Sequence, residues 1–405
     1  MTDALRPRDA KDVQDAVNWA LSEGKTLEVV GRGSKRALGR PSQSDLTLDL
    51  SGLNGVTLYE PEELVLSAKA GTPLAEIEAL VAQKNQQLEF EPMDYGPLLG
   101  GAPDAGSLGG ALAANLAGPR RIKSGAARDH FLGVSAISGR GEAFKSGGRV
   151  VKNVTGYDLC KVLAGSFGTL AAMTDVTIKT LPKPETEESV VVAGLDDARA
   201  SEAMSAAMAS SCDVSAAAHL QRGLVMSIDG LHVFESATVF RLEGVAPSVR
   251  HRKASLTELL KPFGRVDHAG ESHSRALWKC VRDAKPFWAN TPMGDWPLWR
   301  VSTAPTRGHE FAAMLPDGAQ WFTDWAGGLV WIALPPSDDA GAAAIRRACA
   351  KTGGHATLVR APAAVRAAVD VFEPQQGALA GVSKRVKESF DPKGVLNPGR
   401  MWAGV

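Results

Sequence analysis

The sequence predicts an α+β fold divided between two domains, on three observations. The chain has 405 residues, and at ~100–200 residues per domain that length exceeds a single core. Helical and strand patterns alternate over the first 180 residues. A Pro-rich, charged break, LPKPETEE at 181–188, then separates that region from a second run of strands and helices.

Composition narrows the function classes. Hydrophobic residues at 44% and charged residues at 22% are ordinary for a soluble globular protein. Forty-five Lys+Arg balance 45 Asp+Glu, so nucleic acid or an anionic membrane surface is not expected as the main partner. The first twenty residues hold no apolar stretch of the signal-peptide kind, and no run approaches the ~18 apolar residues of a membrane span. A cytosolic protein is expected. Cys160, Cys212, Cys280 and Cys349 lie more than fifty residues apart, which excludes iron–sulfur and zinc sites of the usual spacing and reads as small buried hydrophobes. Glycine is the outlier: many of the 42 crowd between Gly96 and Gly168, where backbone must turn sharply or approach something closely.

Each element follows from its pattern. Val13, Ala16, Val17, Ala20 and Leu21 make one helical face, stopped by Gly24. TLEVV at 26–30, LTLDL at 46–50 and LVLSAKAG at 64–71 read as strands. A helix follows, with Thr72 as N-cap, Pro73 at its first position, and Leu74, Ile77, Leu80 and Val81 facing the core. Ser107 to Leu116 reads as a short helix ended by Gly118. FLGVSAIS, GRGEAF and TDVTIKTL look like antiparallel strands. Past the break, SVVVAG, a helix from Asp196, strands near 224–229 and 238–243, a strand over 327–334, a helix over 338–351 and HATLV at 355–359 make the second α+β unit. Gln376 to Phe390 is an amphipathic helix leading into DPKGVLNPGRM. Eight of nine tryptophans lie after residue 277.

Three stretches carry the chemistry. VVGRGSKR at 29–36 follows a strand. A glycine turn of that kind presents successive N–H groups to an anion, with Ser34, Lys35 and Arg36 adding donors and charge. A plain surface turn has the same composition. It is no dinucleotide GxGxxG, since Arg36 stands where the third glycine belongs, and GKT at 24–26 lacks the earlier glycine of a Walker A loop. In the second stretch, 101–133, Gly106, Gly109 and Gly110 surround the start of a helix whose N–H groups suit a pyrophosphate. Ala111, Ala113, Ala114 and Asn115 would let that helix lie close under a flat ligand. Close helix–sheet packing accounts for the alanines more easily than for Asn115 and the adjoining glycines. The third, KNVTGYDLCKVLAGSFGTLAAMTDVTIKTLPKP at 152–184, sets Gly165, Gly168 and Thr169 in a turn before a terminal strand.

In this order and spacing the three stretches resemble the flavin-binding domain of the vanillyl-alcohol oxidase/p-cresol methylhydroxylase (PCMH) superfamily, over residues 1–184, and DPKGVLNPGR at 391–400 is similar to that family's C-terminal signature. KNVTGYDLCKVLAGSFGTL more particularly resembles the smaller FAD-binding subunits of bacterial glycolate oxidases (glycolate dehydrogenases). The resemblance implies a PCMH-type FAD-binding domain of two subdomains over 1–184. It further implies an α+β cap or substrate domain over 185–370 and a segment, 371–405, returning to the FAD domain.

FAD is implied in an extended pose between the two subdomains. Arg32, Gly33, Ser34, Lys35 and Arg36 would take its pyrophosphate from the first loop. Gly106, Ser107, Gly109, Gly110 and Asn115 would flank the pyrophosphate and ribityl chain. Gly118 and Asp129 fall on positions near the flavin, and Gly168 and Val176 on late contacts. Relatives that attach flavin covalently use a histidine in the first loop. Ser34 and Lys35 stand there, so non-covalent FAD is expected.

The function implied is oxidation of glycolate to glyoxylate within a complex. A larger flavoprotein subunit would be one partner. A separate iron–sulfur subunit would take the electrons, and the complex alone would reach the inner face of the membrane. Self-sufficient oxidation of another hydroxy acid or alcohol, and an assembly role that keeps only the fold, are the alternatives.

The sequence assigns no catalytic residue. Hydroxy-acid dehydrogenases of the family carry a histidine pair and a glutamate as metal and substrate ligands. Here only His268 and His273 lie close, with Glu271 between them in a stretch that reads as a polar loop, and no metal is expected. Arg300, in the apolar stretch PLWRVSTAP, suits a carboxylate or a structural ion pair. Trp288, Trp296, Trp299, Trp321, Trp325 and Trp331 read as core, a pocket lining or a subunit interface.

Overall fold

The computed structural model describes residues 3–41, 43–149 and 156–403. They fall into two compact units, one comprising 1–117, 125–183 and 374–405, the other 118–124 and 184–373.

In the first unit, the helix Ala10–Glu23 starts where the Asp9 carboxylate accepts from the Asp12 N–H and stops at Gly24 in the left-handed region. Its buried Val13, Val17 and Ala20 share a core with Leu27, Leu48 and Leu396. Ten strands follow the chain: β1 (Ala4–Leu5), β2 (Leu27–Val30), β3 (Leu46–Asp49), β4 (Val56–Glu60), β5 (Val65–Lys69), β6 (Gln86–Gln87), β7 (Phe131–Ser138), β8 (Ala143–Gly147), β9 (Ala171–Lys179) and β10 (Leu181–Pro182). A parallel sheet runs β1-β3-β2 and an antiparallel one β4-β5-β9-β7-β8, while β6 pairs β10.

The chain's last stretch completes that unit. The Leu27 N–H donates to the Val395 carbonyl at 2.8 Å, and the Asn397 N–H to Leu27 at 2.9 Å, so 395–397 runs beside β2. Buried Lys387, on the helix Gly377–Phe390, donates to Asp391 (2.7 Å) and to the carbonyls of Thr169 (2.6 Å) and Leu396 (3.1 Å). Asp391 in turn accepts from the Val395 and Leu396 N–H groups, both at 2.9 Å.

The second unit holds one antiparallel sheet ordered β14-β11-β13-β12-β16-β17-β15-β18. Its strands are β11 (Thr186–Ala193), β12 (Ala216–Leu220), β13 (Ala237–Gly244), β14 (Arg265–Ala269), β15 (Leu298–Ser302), β16 (Gln320–Asp324), β17 (Leu329–Ala333) and β18 (His355–Arg360). The helices Asp197–Ala209 and Ala246–Leu260 pack Ala203, Met204 and Leu256 into one core with Phe240 of β13. Among the described residues no helix is long and apolar enough to cross a membrane. All four cysteines are free and buried.

Four expectations need correction. The strand placed near 224–229 is a short helix, Arg222–Val225, and the strand lies earlier, at AAAHL. Every residue of AAAHL is buried, so no alternation marks it. The second helix begins at Leu74 with Pro73 as its cap. Thr72 instead donates to the Lys69 carbonyl (2.7 Å) and accepts from the Gly55 N–H (3.0 Å). Helix 338–351 starts only at Ala342, because Asp339 accepts from the Gly341 and Ala343 N–H groups and ties the preceding turn. The stretch around His268 is no loop: His268 lies on β14 and His273 on the helix Glu271–Arg282.

Replacing Lys387 with Met would leave Asp391 buried without its cation. Such a change is expected to lower the unfolding free energy by about 3–5 kcal/mol, read as a drop in denaturant midpoint at unchanged slope. A loss below about 1 kcal/mol would show that the pair contributes little net.

Candidate functional site

The first unit carries an open cleft. It forms where three backbone turns meet. The turn after β2 brings Arg32, Gly33, Ser34, Lys35 and Arg36, the start of the helix Leu108–Ala113 brings Ser107, Gly109 and Gly110, and the turn before β9 brings Gly168. Three stretches far apart in the chain thus line one cavity.

Two glycines show how closely these segments pack. A Cβ at Gly109 would lie 2.8 Å from the Ala70 carbonyl oxygen. Gly168 has φ +74°, and a Cβ there would lie 2.7 Å from Nδ2 of Asn397. Asn397 binds both neighbouring turns: its Oδ1 accepts from the Val29 N–H at 2.8 Å and its Nδ2 donates to the Phe167 carbonyl at 2.8 Å. Ser107 caps the short helix, its Oγ accepting from the Gly110 N–H at 3.3 Å.

The charge in the cleft is positive. The Lys35 ammonium donates to Ser34 Oγ at 3.3 Å, and a Cβ at Gly110 would lie 3.5 Å from it, so it rests against the first turn of that helix. Burial pulls its pKa down to about 8, opposed by the Asp94 carboxylate and reinforced by the Arg400 guanidinium. Arg36 pairs instead with Glu28, Nε to Oε1 at 2.9 Å. Lysine and arginine beside helix and turn N–H groups make a donor set for a multiply charged anion such as a diphosphate. The residues present fit that group.

Five expected residues do not line the cleft. Gly106 sits behind it, its carbonyl accepting from the Leu74 N–H at 3.0 Å. Asn115 accepts from the Arg128 N–H at 2.9 Å, and Asp129 from the Ala126 N–H at 2.8 Å, each shaping local turns. Val176 is buried inside β9 between Ala68 and Val134. Gly118 belongs to the second unit, where its carbonyl accepts from the Trp325 indole N–H at 3.0 Å. The neighbouring Arg120 explains that placement, since its Nε donates to buried Glu243 at 3.0 Å. Residues 152–155 of the third motif lie outside the described residues. The sequence did not single out Val29, Gly31, Ala70, Phe167, Met173 or Arg400 as lining, although NPGR itself was a visible signal.

In the second unit the guanidinium of Arg300 stacks over Trp325 at 4.9 Å. His268 Nε2 lies 2.9 Å from Thr257 Oγ1, and His273 packs edge-on against His232. Among the described residues no group of three His, Cys, Asp or Glu is arranged to hold a metal. Trp299, Trp325 and Trp331 are core residues, whereas Trp288, Trp296 and Trp321 are half-buried.

The matched family and the cleft together define a flavoprotein that binds the dinucleotide FAD. Residues 4–147 match the FAD binding domain family. The fold is that of p-cresol methylhydroxylase with substrate bound (TM-score 0.72, 14% identity, 98% of this chain and 88% of that one). It is also that of alkyldihydroxyacetonephosphate synthase (TM-score 0.67, 16% identity, 98% and 75%). Over 96% of both chains the sequence is 34% identical to glycolate oxidase subunit GlcE of Escherichia coli (strain K12). Glycolate oxidase subunit GlcD of Bacillus subtilis (strain 168) is 26% identical over 47% of this chain and 39% of its own. The chain belongs to the family of FAD-binding glycolate oxidase subunits represented by GlcE.

A methyl group at Gly109 has backbone in its way rather than a movable side chain. Gly109→Ala is expected to cost about 1–3 kcal/mol of stability and to reduce flavin retained on purification. Unchanged melting and flavin content would show that the two turns separate without penalty.

Proposed function

We propose that this chain is the FAD-binding subunit of a glycolate oxidase-type complex, in which glycolate is oxidised to glyoxylate. The observation that carries this reading is the likeness to GlcE over nearly the whole of both chains, joined to a cleft whose donors suit a diphosphate. FAD supplies the two-electron acceptor for that oxidation.

The chain's own part is to hold and orient the cofactor. Arg32, Gly33, Ser34 and Lys35 meet the diphosphate, with Arg36 paired to Glu28 beside them, while Ser107 caps the helix and Gly109, Gly110 and Gly168 let backbone approach it. Gly106, Asn115 and Asp129 shape the turns behind. Ser34 and Lys35 occupy the loop where a histidine would be needed for a covalent link, which supports non-covalent binding. The cysteines are buried and far apart, which supports electron transfer to a separate iron–sulfur subunit. A larger flavoprotein subunit is the second partner, and membrane contact arises peripherally, through the assembly.

The test is the visible spectrum of the purified chain, followed by acid precipitation. Stoichiometric FAD left in the supernatant is expected. Colourless protein that does not reconstitute would overturn the cofactor role and leave an assembly subunit. Substituting residues 32–36 is expected to abolish glycolate oxidation by the reconstituted complex, whereas intact activity would exclude a redox role for this flavin.

Lys35 adds a pH dependence. An anion binds the ammonium form better, so affinity for FAD is expected to fall as pH rises above about 8, where the ligand-free lysine loses its proton. In Lys35→Met, binding measured by flavin fluorescence is expected to be weaker and to lack that slope.

A further inference from the structure

We propose that Arg400 is the positioning residue of the diphosphate site, fixing the 33–38 turn from behind and setting a second positive charge beside Lys35. The proposal rests on the reading of the cleft as the FAD site and adds a residue from the far end of the chain.

Arg400 lines the same cleft as Gly33, Ser34 and Lys35. Its side chain is buried, and one amino group, Nη2, donates to the carbonyls of Lys35 (2.8 Å) and Leu38 (3.3 Å). One guanidinium therefore holds two carbonyls of the turn that carries the ammonium. Its own main-chain carbonyl accepts from the Arg40 N–H at 2.9 Å, and a Cβ at Gly39 would lie 3.0 Å from that oxygen. Turn and C-terminal segment are clamped on both sides.

The charge has a second consequence. The guanidinium also reaches Lys35 strongly enough to weaken its hold on a proton. Two like charges held close in a half-buried site repel until an anion lies between or beside them. A diphosphate carries the charge to do so. Nη2 stands at the end of a rigid planar group on a side chain longer than that of lysine, so an ammonium would not sit at the same place between the two carbonyls. A merely structural arginine would fix the turn yet leave the titration of Lys35 unmoved.

The experiment uses the full chain stripped of flavin, with FAD binding followed by flavin fluorescence between pH 6.5 and about 10, a range spanning the Lys35 titration. Arg400→Gln is expected to weaken FAD binding about thirtyfold, the loss of charged hydrogen bonds at a desolvated site. It should also move the alkaline fall in affinity upward by about half a pH unit, because Lys35 then keeps its proton longer. Arg400→Lys keeps the charge and loses the reach of the planar group, so about a fivefold loss with the alkaline fall unmoved is expected. Affinity within about twofold of wild type for Arg400→Gln, a difference near the resolution of such measurements, would overturn the proposal. So would weakened binding with the fall in affinity unmoved in that variant, which would leave only a structural role. If Arg400→Gln fails to fold by circular dichroism, Arg400→Lys decides: wild-type affinity overturns the proposal and the fivefold loss supports it. A wild-type chain that takes up no FAD overturns the cofactor reading itself, a result distinct from equal binding by wild type and variant.

Discussion

The buried pair of Lys387 and Asp391 is the constraint on which the flavin-binding unit depends. A lysine ammonium removed from water is costly unless every proton finds an acceptor. Here the three acceptors are Asp391 and the carbonyls of Thr169 and Leu396. Asp391 spends its remaining capacity on two main-chain N–H groups four and five residues on. One ion pair therefore fixes the end of a helix, the strand-like segment beside β2, and the turn that carries Gly168. Because each partner is buried, none can be removed without stranding another.

What the pair holds, Asn397 adjusts. Its amide spans the exit of β2 and the Phe167 carbonyl, so the first and third turns keep a fixed separation. Glycine at 109 lets two backbones come within a distance that any side chain would forbid, and glycine at 168 leaves room for the Asn397 amide. The cleft results from packing that excludes side chains at those points, and its positive charge from Lys35 and Arg400 lining one cavity.

The second unit is built on different terms. Its sheet buries a helix layer of ordinary apolar packing, and residues 118–124 join it through Arg120 and the carbonyl of Gly118. Burial disfavours ionised Glu243, yet Arg241 and Arg120 beside it hold its carboxyl below the usual range. That is how a short stretch between two flavin-side elements belongs to the other unit, and why a motif read as continuous in the sequence divides in space.

Local chemistry was legible wherever it leaves a local mark. Gly24 stops the first helix, the helix read from Ser107 starts at Leu108 with Ser107 as its cap, and Leu46 and Leu48 lie on a strand, each as its neighbours dictate. AAAHL was not legible, because burial on both sides erases the alternation that marks a strand. The glycine turns and the basic residues Lys35 and Arg36 were evident, but their roles diverge. Glu28, eight residues earlier, takes Arg36 as its partner, whereas Lys35 stays in the cleft. Arg400 stood in plain view within NPGR with nothing in its neighbours to connect it to residue 35. By itself the sequence determined the helices, most strands and the three turns, since caps, periodicity and glycine act over a few residues. Tertiary structure alone decided which of those residues share a cavity, because that depends on contacts hundreds of residues apart that leave no local pattern.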